Sequence, residues 1–387
     1  MYKEKRKFLS LGAGLLAMFL TGLPHLWSIY QPYVMEGTDW TISQVMLCFY
    51  LSLITFAFGN LIGGKIQDRY KPSYAIWIGG AIFTFSLFSS VFAANRSLIG
   101  LYIGYAFQGI GHGMIYTTVI SVYQKWFPAR PGFASGLAVT ANAMCGFLLA
   151  PPSRSWLENY GASTTFLILG ILVATSWLLG GLFIKLPENY TATTKASSSN
   201  DLTTKEMMRT KEFYILFGIM IAALLSYFLI SPMAYIIQES KGILAEYAIY
   251  AVMIGPIANA ACKLLLPTLG DELGRLRILQ YDLMCGIIGL LLIWLGAGYL
   301  SSIGIVLVYA SYGGVLGIFP SITSQYFGIK YQGQNYGAML FGFSITAVIA
   351  PVTHNFMPGN TYIYAGILSI VIAIIFLRIL RKQASST

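Results

Sequence analysis

Charge is what this sequence has least of. Asp, Glu, Lys and Arg make up only 10% of its 387 residues, against 56% that are hydrophobic. A soluble globular chain carries about 25% charged residues, so this one lacks the polar surface to face water on all sides. Its mean hydropathy of +0.68 says the same. Cysteine is thin too: Cys48, Cys145, Cys262 and Cys285 all fall inside apolar runs and none forms a C-x-x-C pair. That removes metal-ribbon and thioredoxin-like readings and leaves the cysteines as small packing residues. No nucleophile, metal cluster or acid–base cluster stands out, and no polar stretch is long enough for a ligand-binding or signalling domain. An enzyme, a bound cofactor and a receptor are therefore not expected. Carboxylates are missing from the middle of the apolar runs, Asp282 standing near the end of its own.

What remains is apolar length. A bilayer core of about 30 Å needs roughly 20 apolar residues as helix. Twelve runs meet or approach this, at 8–30, 43–61, 74–91, 98–122, 132–149 and 164–183, then 213–236, 245–266, 278–295, 303–322, 336–350 and 362–380. The basic Met1–Ser10 ahead of the first run looks like the start of a signal peptide. The run continues for about 20 residues without a small-residue cleavage site and reads as a membrane helix.

The net charge of +10 is spread over short tethers between runs, which points away from a nucleic-acid partner. Counted by side, 20 Lys and Arg fall on the side of the termini and three on the other, Arg96, Arg154 and Lys241; the last of the 24, Lys263, lies within the eighth run. The positive-inside rule then puts both termini in the cytoplasm. The longest polar connection, Pro187–Lys211, is rich in Ser, Thr and Lys and reads as a linker. It separates an N-terminal six-helix bundle, 1–186, from a C-terminal one, 212–387.

The halves repeat. GGKIQDRYKPS after the second run, with Asp68-Arg69, is answered by LPTLGDELGRLR after the eighth, with Asp271 and Arg275, the aspartates 203 positions apart. KWFP at Lys125–Pro128 is answered by QYFG at Gln325–Gly328, and Ala150-Pro151 by Ala350-Pro351, each 200 positions on. Paired six-helix repeats with the binding site between them are the architecture of a rocking secondary transporter. The expected fold is an all-α membrane protein of twelve transmembrane helices in two six-helix pseudo-repeats.

The G-x-x-x-D-R loop and its second-half copy resemble the signature of the major facilitator superfamily over nearly the whole chain. Within it, GIGHGMIYTTVISVYQKWFPARPGFASGLA (Gly109–Ala138) and SQYFGIKYQGQNYGAMLFG (Ser324–Gly342) are similar to the oxalate:formate antiporter family and the related monocarboxylate porters. The resemblance implies a transporter of small organic anions in which a basic residue of the eighth helix contacts the carboxylate. That position, eight before the loop Asp271, is Lys263, where the family commonly has Arg; a Lys is a point charge without the bidentate fork. Dicarboxylate-exchanging members also carry a lysine in the eleventh helix. None stands in 336–350 here, which argues against a dianion held by two cations. Tyr105 replaces the Arg that many proton-coupled facilitators carry four residues before the fourth-helix glycines.

On physical grounds too, Lys263 leads. It lies about two turns, roughly 12 Å, inside the loop, a depth at which an ionisable group is functional by default. Gly255, Asn259 and Lys263 recur every fourth residue and share a face. Snorkelling to the interface, or pairing with Asp282, would explain Lys263 without a substrate. His112 shares a helical stripe with Gln108 and Tyr116, and the repeat matches it with Tyr312, which makes these candidates for substrate or proton binding. His25 and Tyr30 near the outer end of the first helix are further candidates, whereas Trp27 and Tyr33 suit an interfacial belt. Tyr227 and Tyr309 could donate hydroxyls. Asp68, Arg69, Asp271 and Arg275 read as gate residues, or as topogenic charge and helix caps.

The function expected is alternating-access transport of a small anion, a monocarboxylate, with a proton or a counter-anion as partner. Any proton would ride on His112, His25 or the substrate. The competing reading keeps the fold and carries a larger metabolite, a siderophore or an amphipathic drug; Lys263 buried in an ion pair would favour it. A bacterial inner membrane is the expected setting, and since the two halves supply a complete pathway, a monomer suffices.

Overall fold

A computed structural model describes residues 2–187, 201–243, 245–357 and 361–384, and every regular element among them is helical. Nine helices among the described residues are long and apolar enough to cross a membrane by length and composition alone. One of them, Pro131–Phe183, is two spans. Gly161 interrupts it at φ 75°, ψ 175°, a left-handed setting that an L side chain resists and glycine adopts freely. Leu98–Trp126 and Ala245–Leu273 are the remaining two. Among the described residues this makes twelve apolar spans. Residues such as Phe58, Phe92, Ile99, Ile288, Leu295 and Leu368 are exposed, as a lipid-facing surface requires.

The first span is broken. Helix Tyr2–Leu20 gives way to a 3-10 turn, Leu23–Leu26, and resumes as Trp27–Met35. Pro24 cannot supply the backbone N–H of a continuous helix. The seventh span repeats the device: Lys211–Ile230, a 3-10 turn Ser231–Met233 containing Pro232, then Ala234–Ser240. The second span, Ile42–Arg69, starts on a capping box between Thr41 and Gln44. The third is Pro72–Ala93, the ninth Arg275–Leu295, the tenth Tyr299–Phe327, the eleventh Gln332–Met339 continued by Phe341–Phe356, and the twelfth Tyr362–Ala384.

The second and eighth helices outrun their apolar sequence, so Asp68, Arg69 and Asp271 stand on final helical turns rather than in loops. Helical hydrogen bonding does not stop where hydrophobicity does; the apolar run marks the hydrocarbon, not the helix end.

The chain forms two compact units. One comprises Met1–Ala129, Ala141–Thr204 and Phe327–Ser344; the other Arg130–Thr140, Lys205–Tyr326 and Ile345–Thr387. Residues 188–200 of the expected linker lie outside the described residues. Its far end is tied down in the first unit: Leu202 N donates to Phe327 O (3.1 Å), Asn335 Nδ2 donates to Leu202 O (2.9 Å), and the Thr204 hydroxyl donates to Asn335 Oδ1 (2.9 Å).

Glycines set the packing inside each unit. In the first, a Cβ on Gly109 would stand 2.1 Å from Ser52 O and one on Gly113 would stand 2.2 Å from Phe56 O. The fourth span therefore lies backbone-to-backbone on the second, with Thr117 Oγ1 donating to Asn60 O across a separation of 57 residues. In the second unit, a Cβ on Gly313 would stand 2.2 Å from Asn259 O, and one on Gly317 would stand 2.6 Å from Lys263 O. Gly255 meets the Tyr309 ring in the same register. The face Gly255–Asn259–Lys263 is thus the face laid on the tenth span.

Candidate functional site

Lys263 is buried, 5% exposed, in the second unit. Its Nζ lies 5.4 Å from the centroid of the Tyr312 ring, within cation–π range. Tyr312 is stacked on Tyr227, centroids 3.7 Å apart and planes at 12°. Tyr309 stands edge-on to Tyr227 at 4.9 Å, its hydroxyl 2.8 Å from Ser231 Oγ at the break in the seventh span. One turn from Lys263, the buried Asn259 has an Oδ1 with no hydrogen-bond partner among the described residues.

No carboxylate forms an ion pair with Lys263 among the described residues. The pairing with Asp282 is not made. Ser311 Oγ instead donates to Asp282 O (3.1 Å) and approaches its Oδ2 (3.5 Å). A buried ammonium resting on an aromatic face, beside an unsatisfied carboxamide, is chemically suited to an anion. Such a group supplies the compensating charge and hydrogen bonds that burial withholds.

In the first unit, Gln108, His112 and Tyr116 are all buried on one stripe of the fourth span. Asn142 Nδ2 reaches both His112 Nε2 (3.3 Å) and Thr21 Oγ1 (3.1 Å), joining the fifth span, the fourth and the break in the first. Phe56 lies 4.4 Å from His112, His25 is edge-on at 6.4 Å, and Tyr116 is at 5.7 Å. The Tyr116 ring also stands edge-on to Phe56 at 5.2 Å, and Gln108 Oε1 has no partner among the described residues. Tyr30 belongs elsewhere: its ring meets Phe166 at 5.6 Å and its hydroxyl stands 3.5 Å from Ser153 Oγ. Of the first-half candidates, His112, Gln108, Tyr116 and His25 are therefore brought together, and Tyr30 is not.

The charged helix ends are built alike. Asp68 lies 3.2 Å from Lys125 Nζ, both side chains almost wholly buried. The pair spans 57 residues, continuing the register of the second and fourth spans. Gln67 Nε2 bonds the same carboxylate, and Gln334 N donates to its Oδ2 (2.9 Å) at the start of the eleventh span. Asp271 takes backbone N–H groups from Gly132 (3.0 Å) and Phe133 (2.9 Å) at the start of the fifth span. Arg275 Nη2 pairs with it at 3.0 Å, and Arg275 Nη1 reaches Gln325 Oε1 at 3.0 Å. Each carboxylate caps the N-terminus of a helix distant in sequence, where its charge meets the positive end of the macrodipole. Arg69 is exposed and lies over the Tyr70 ring at 5.6 Å.

Asn142, Thr21 and Ser231 are not marked by the sequence, and Lys125 stands in it only as a landmark of the repeat. Lys125 was findable, since the spacing that aligns the glycines of the fourth span with the second also aligns Lys125 with Asp68. The other three are neutral polar residues of types common in membrane helices, which carry no signal until their neighbours are known.

The Major Facilitator Superfamily model matches residues 9–351. The chain belongs to the major facilitator superfamily. Over 350 residues it is 26% identical to an uncharacterised MFS-type transporter, YhjX, of Escherichia coli K12, covering 89% of this chain and 87% of that one. It is 24% identical over 371 residues to the oxalate:formate antiporter of Oxalobacter formigenes, covering 93% and 88%. Among solved structures it resembles the proton:xylose symporter XylE, with a TM-score of 0.72 over 98% of this chain and 95% of that one, at 14% identity. The molecule is thus a multi-pass membrane transporter and not an enzyme.

Proposed function

We propose that this transporter carries a small monocarboxylate anion by alternating access, with Lys263 as its carboxylate-binding cation. The observation that carries the reading is a buried ammonium with no ion-pair partner among the described residues, seated on the Tyr312–Tyr227 stack. A lysine already neutralised by Asp282 would have favoured a large amphipathic cargo. The resemblance to an antiporter named for oxalate and formate supports an organic anion. One lysine with no second cation in 336–350 favours the monoanion of that pair. Asn259 and Tyr312 complete the anion site in this reading. Gln108, His112, Tyr116 and His25 form a polar cluster of their own within the first unit, which we read as a second substrate- or proton-binding group. Asp68 and Asp271, with Lys125 and Arg275, act as gates that hold and release helix N-termini, and Arg69 adds topogenic charge. The protein works as a monomer in a bacterial inner membrane with both termini cytoplasmic, as the distribution of Lys and Arg favours.

The test is uptake and counterflow of labelled formate, acetate, lactate and oxalate in proteoliposomes, comparing wild type with Lys263→Ala. Removing one partner of a desolvated charge pair costs about 2 kcal/mol or more, so the apparent affinity should fall at least about 30-fold. Saturable transport of all four anions that is indifferent to Lys263→Ala would sink the assignment.

A further inference from the structure

The second unit buries a second ionisable side chain that the anion site does not use. Asp282 is 4% exposed and lies seven residues beyond Arg275, where its helix begins, roughly 10 Å along the axis. It faces the tenth span, where a Cβ on Gly314 would stand 2.4 Å from its Oδ1. The carboxyl group therefore rests against bare backbone, with the Ser311 hydroxyl as its side-chain partner at 3.5 Å. The titratable groups near enough to sense it are Cys262 on the eighth span and Cys285 on its own. Among the described residues no Lys or Arg forms an ion pair with it.

Burying a carboxylate without a cation is costly, and the compensation open to such a group is a proton. Lys263 stands on the neighbouring eighth span, yet the two do not pair: the ammonium rests on Tyr312 and the carboxyl on Ser311. Two groups of opposite charge, each left without a charged partner in one low-dielectric unit, call for two ligands of opposite sign. We propose that Asp282 is the site at which this carrier takes up and releases a coupling proton, so that the anion on Lys263 and the proton on Asp282 travel together. The proposal rests on the carboxylate reading of Lys263. It also supplies a rule for coupling. Of these two side chains, the empty unit holds one positive and one negative charge, and the fully loaded unit holds a neutralised lysine and a neutral acid. Loading only the anion or only the proton leaves a net charge inside the membrane, which disfavours reorientation. Symport follows from charge balance, and no further residue is needed to enforce it.

Two measurements on the full-length protein test this. In proteoliposomes, an inward proton gradient should stimulate wild-type formate uptake several-fold over symmetric pH. In Asp282→Asn, which keeps an acceptor for Ser311, the stimulation ratio should fall to about one, and Asp282→Glu should restore part of it. Undiminished stimulation in Asp282→Asn would overturn the proposal. Infrared titration of the purified protein reads the acid without any transport. A protonated-carboxyl C=O band that appears and disappears with pH in wild type, and is lost in Asp282→Asn, supports it. A band that does not titrate, or one unchanged in the variant, overturns it. If wild type carries none of the four anions, the carboxylate reading fails, while the infrared result still decides whether Asp282 exchanges a proton.

Discussion

At the scale of single residues, the anion site depends on a ring rather than a hydroxyl. The Lys263 ammonium faces the Tyr312 centroid at 5.4 Å, and the ring is stacked on Tyr227 with Phe228 edge-on at 6.2 Å. A cation–π contact is worth about 0.5–2 kcal/mol, depending on desolvation. Tyr312→Phe should therefore keep substrate affinity within about 2-fold, while Tyr312→Leu should lower it between about 2- and 30-fold. Counterflow titrations of the two variants measure the difference. Equal losses in both would mean that the hydroxyl acts on the substrate directly. Lys263 itself was legible in the sequence because a charge inside an apolar run is rare and therefore informative. Tyr227 was not, because it is one of 26 tyrosines and its part is defined by a stacking partner some 85 positions away. Asn142, which links His112 to Thr21, was hidden for the same reason. A neutral amide declares its function only through its neighbours.

At the scale of elements, the glycines decide how closely helices approach. Gly109 and Gly113 place the fourth span on the backbone of the second, where an added methyl would fall 2.1–2.2 Å from carbonyl oxygens of that helix. Backbone cannot yield as a side-chain tip does, and overpacking of this kind costs about 1–3 kcal/mol. Gly113→Ala should lower the thermal midpoint in detergent by several degrees and displace His112, its neighbour in the chain. Gly146, where an added methyl would meet nothing within 4 Å, should accept Ala with little change. A Gly113→Ala protein as stable as wild type would mean that the second and fourth spans are free to separate. The twelve spans were readable from apolar length alone, because the bilayer imposes that length. The helix ends were not. Asp68 and Asp271 continue their helices beyond the hydrocarbon, and hydropathy has nothing to report there.

At the scale of the whole molecule, the repeated halves solve one electrostatic problem in two ways. Both Asp68 and Asp271 accept backbone N–H groups from a helix start far away in sequence. The first is paired with Lys125 from another span, with side-chain exposures of 0% and 2%; the second is paired with Arg275 one turn along, at 4% and 17%. Hydrogen bonds to a charged group contribute about 1.5–3 kcal/mol, and more when water cannot compete. Asp68→Asn and Asp271→Asn keep the shape and an acceptor but remove the charge, so both should destabilise the protein, Asp68→Asn more. Adding Lys125→Gln to Asp68→Asn should recover part of the loss, since the lysine then no longer sits buried without the carboxylate it faces. Arg69→Gln should change stability by no more than about 0.5 kcal/mol, as expected for an exposed side chain. Thermal midpoints measured alongside initial transport rates separate the cases. A larger loss for Asp271→Asn, or for Arg69→Gln, would mean that the two halves do not divide the work as their burial implies. If Asp68→Asn slows transport while its midpoint recovers in the double variant, the carboxylate controls movement as well as stability, which is the behaviour of a gate.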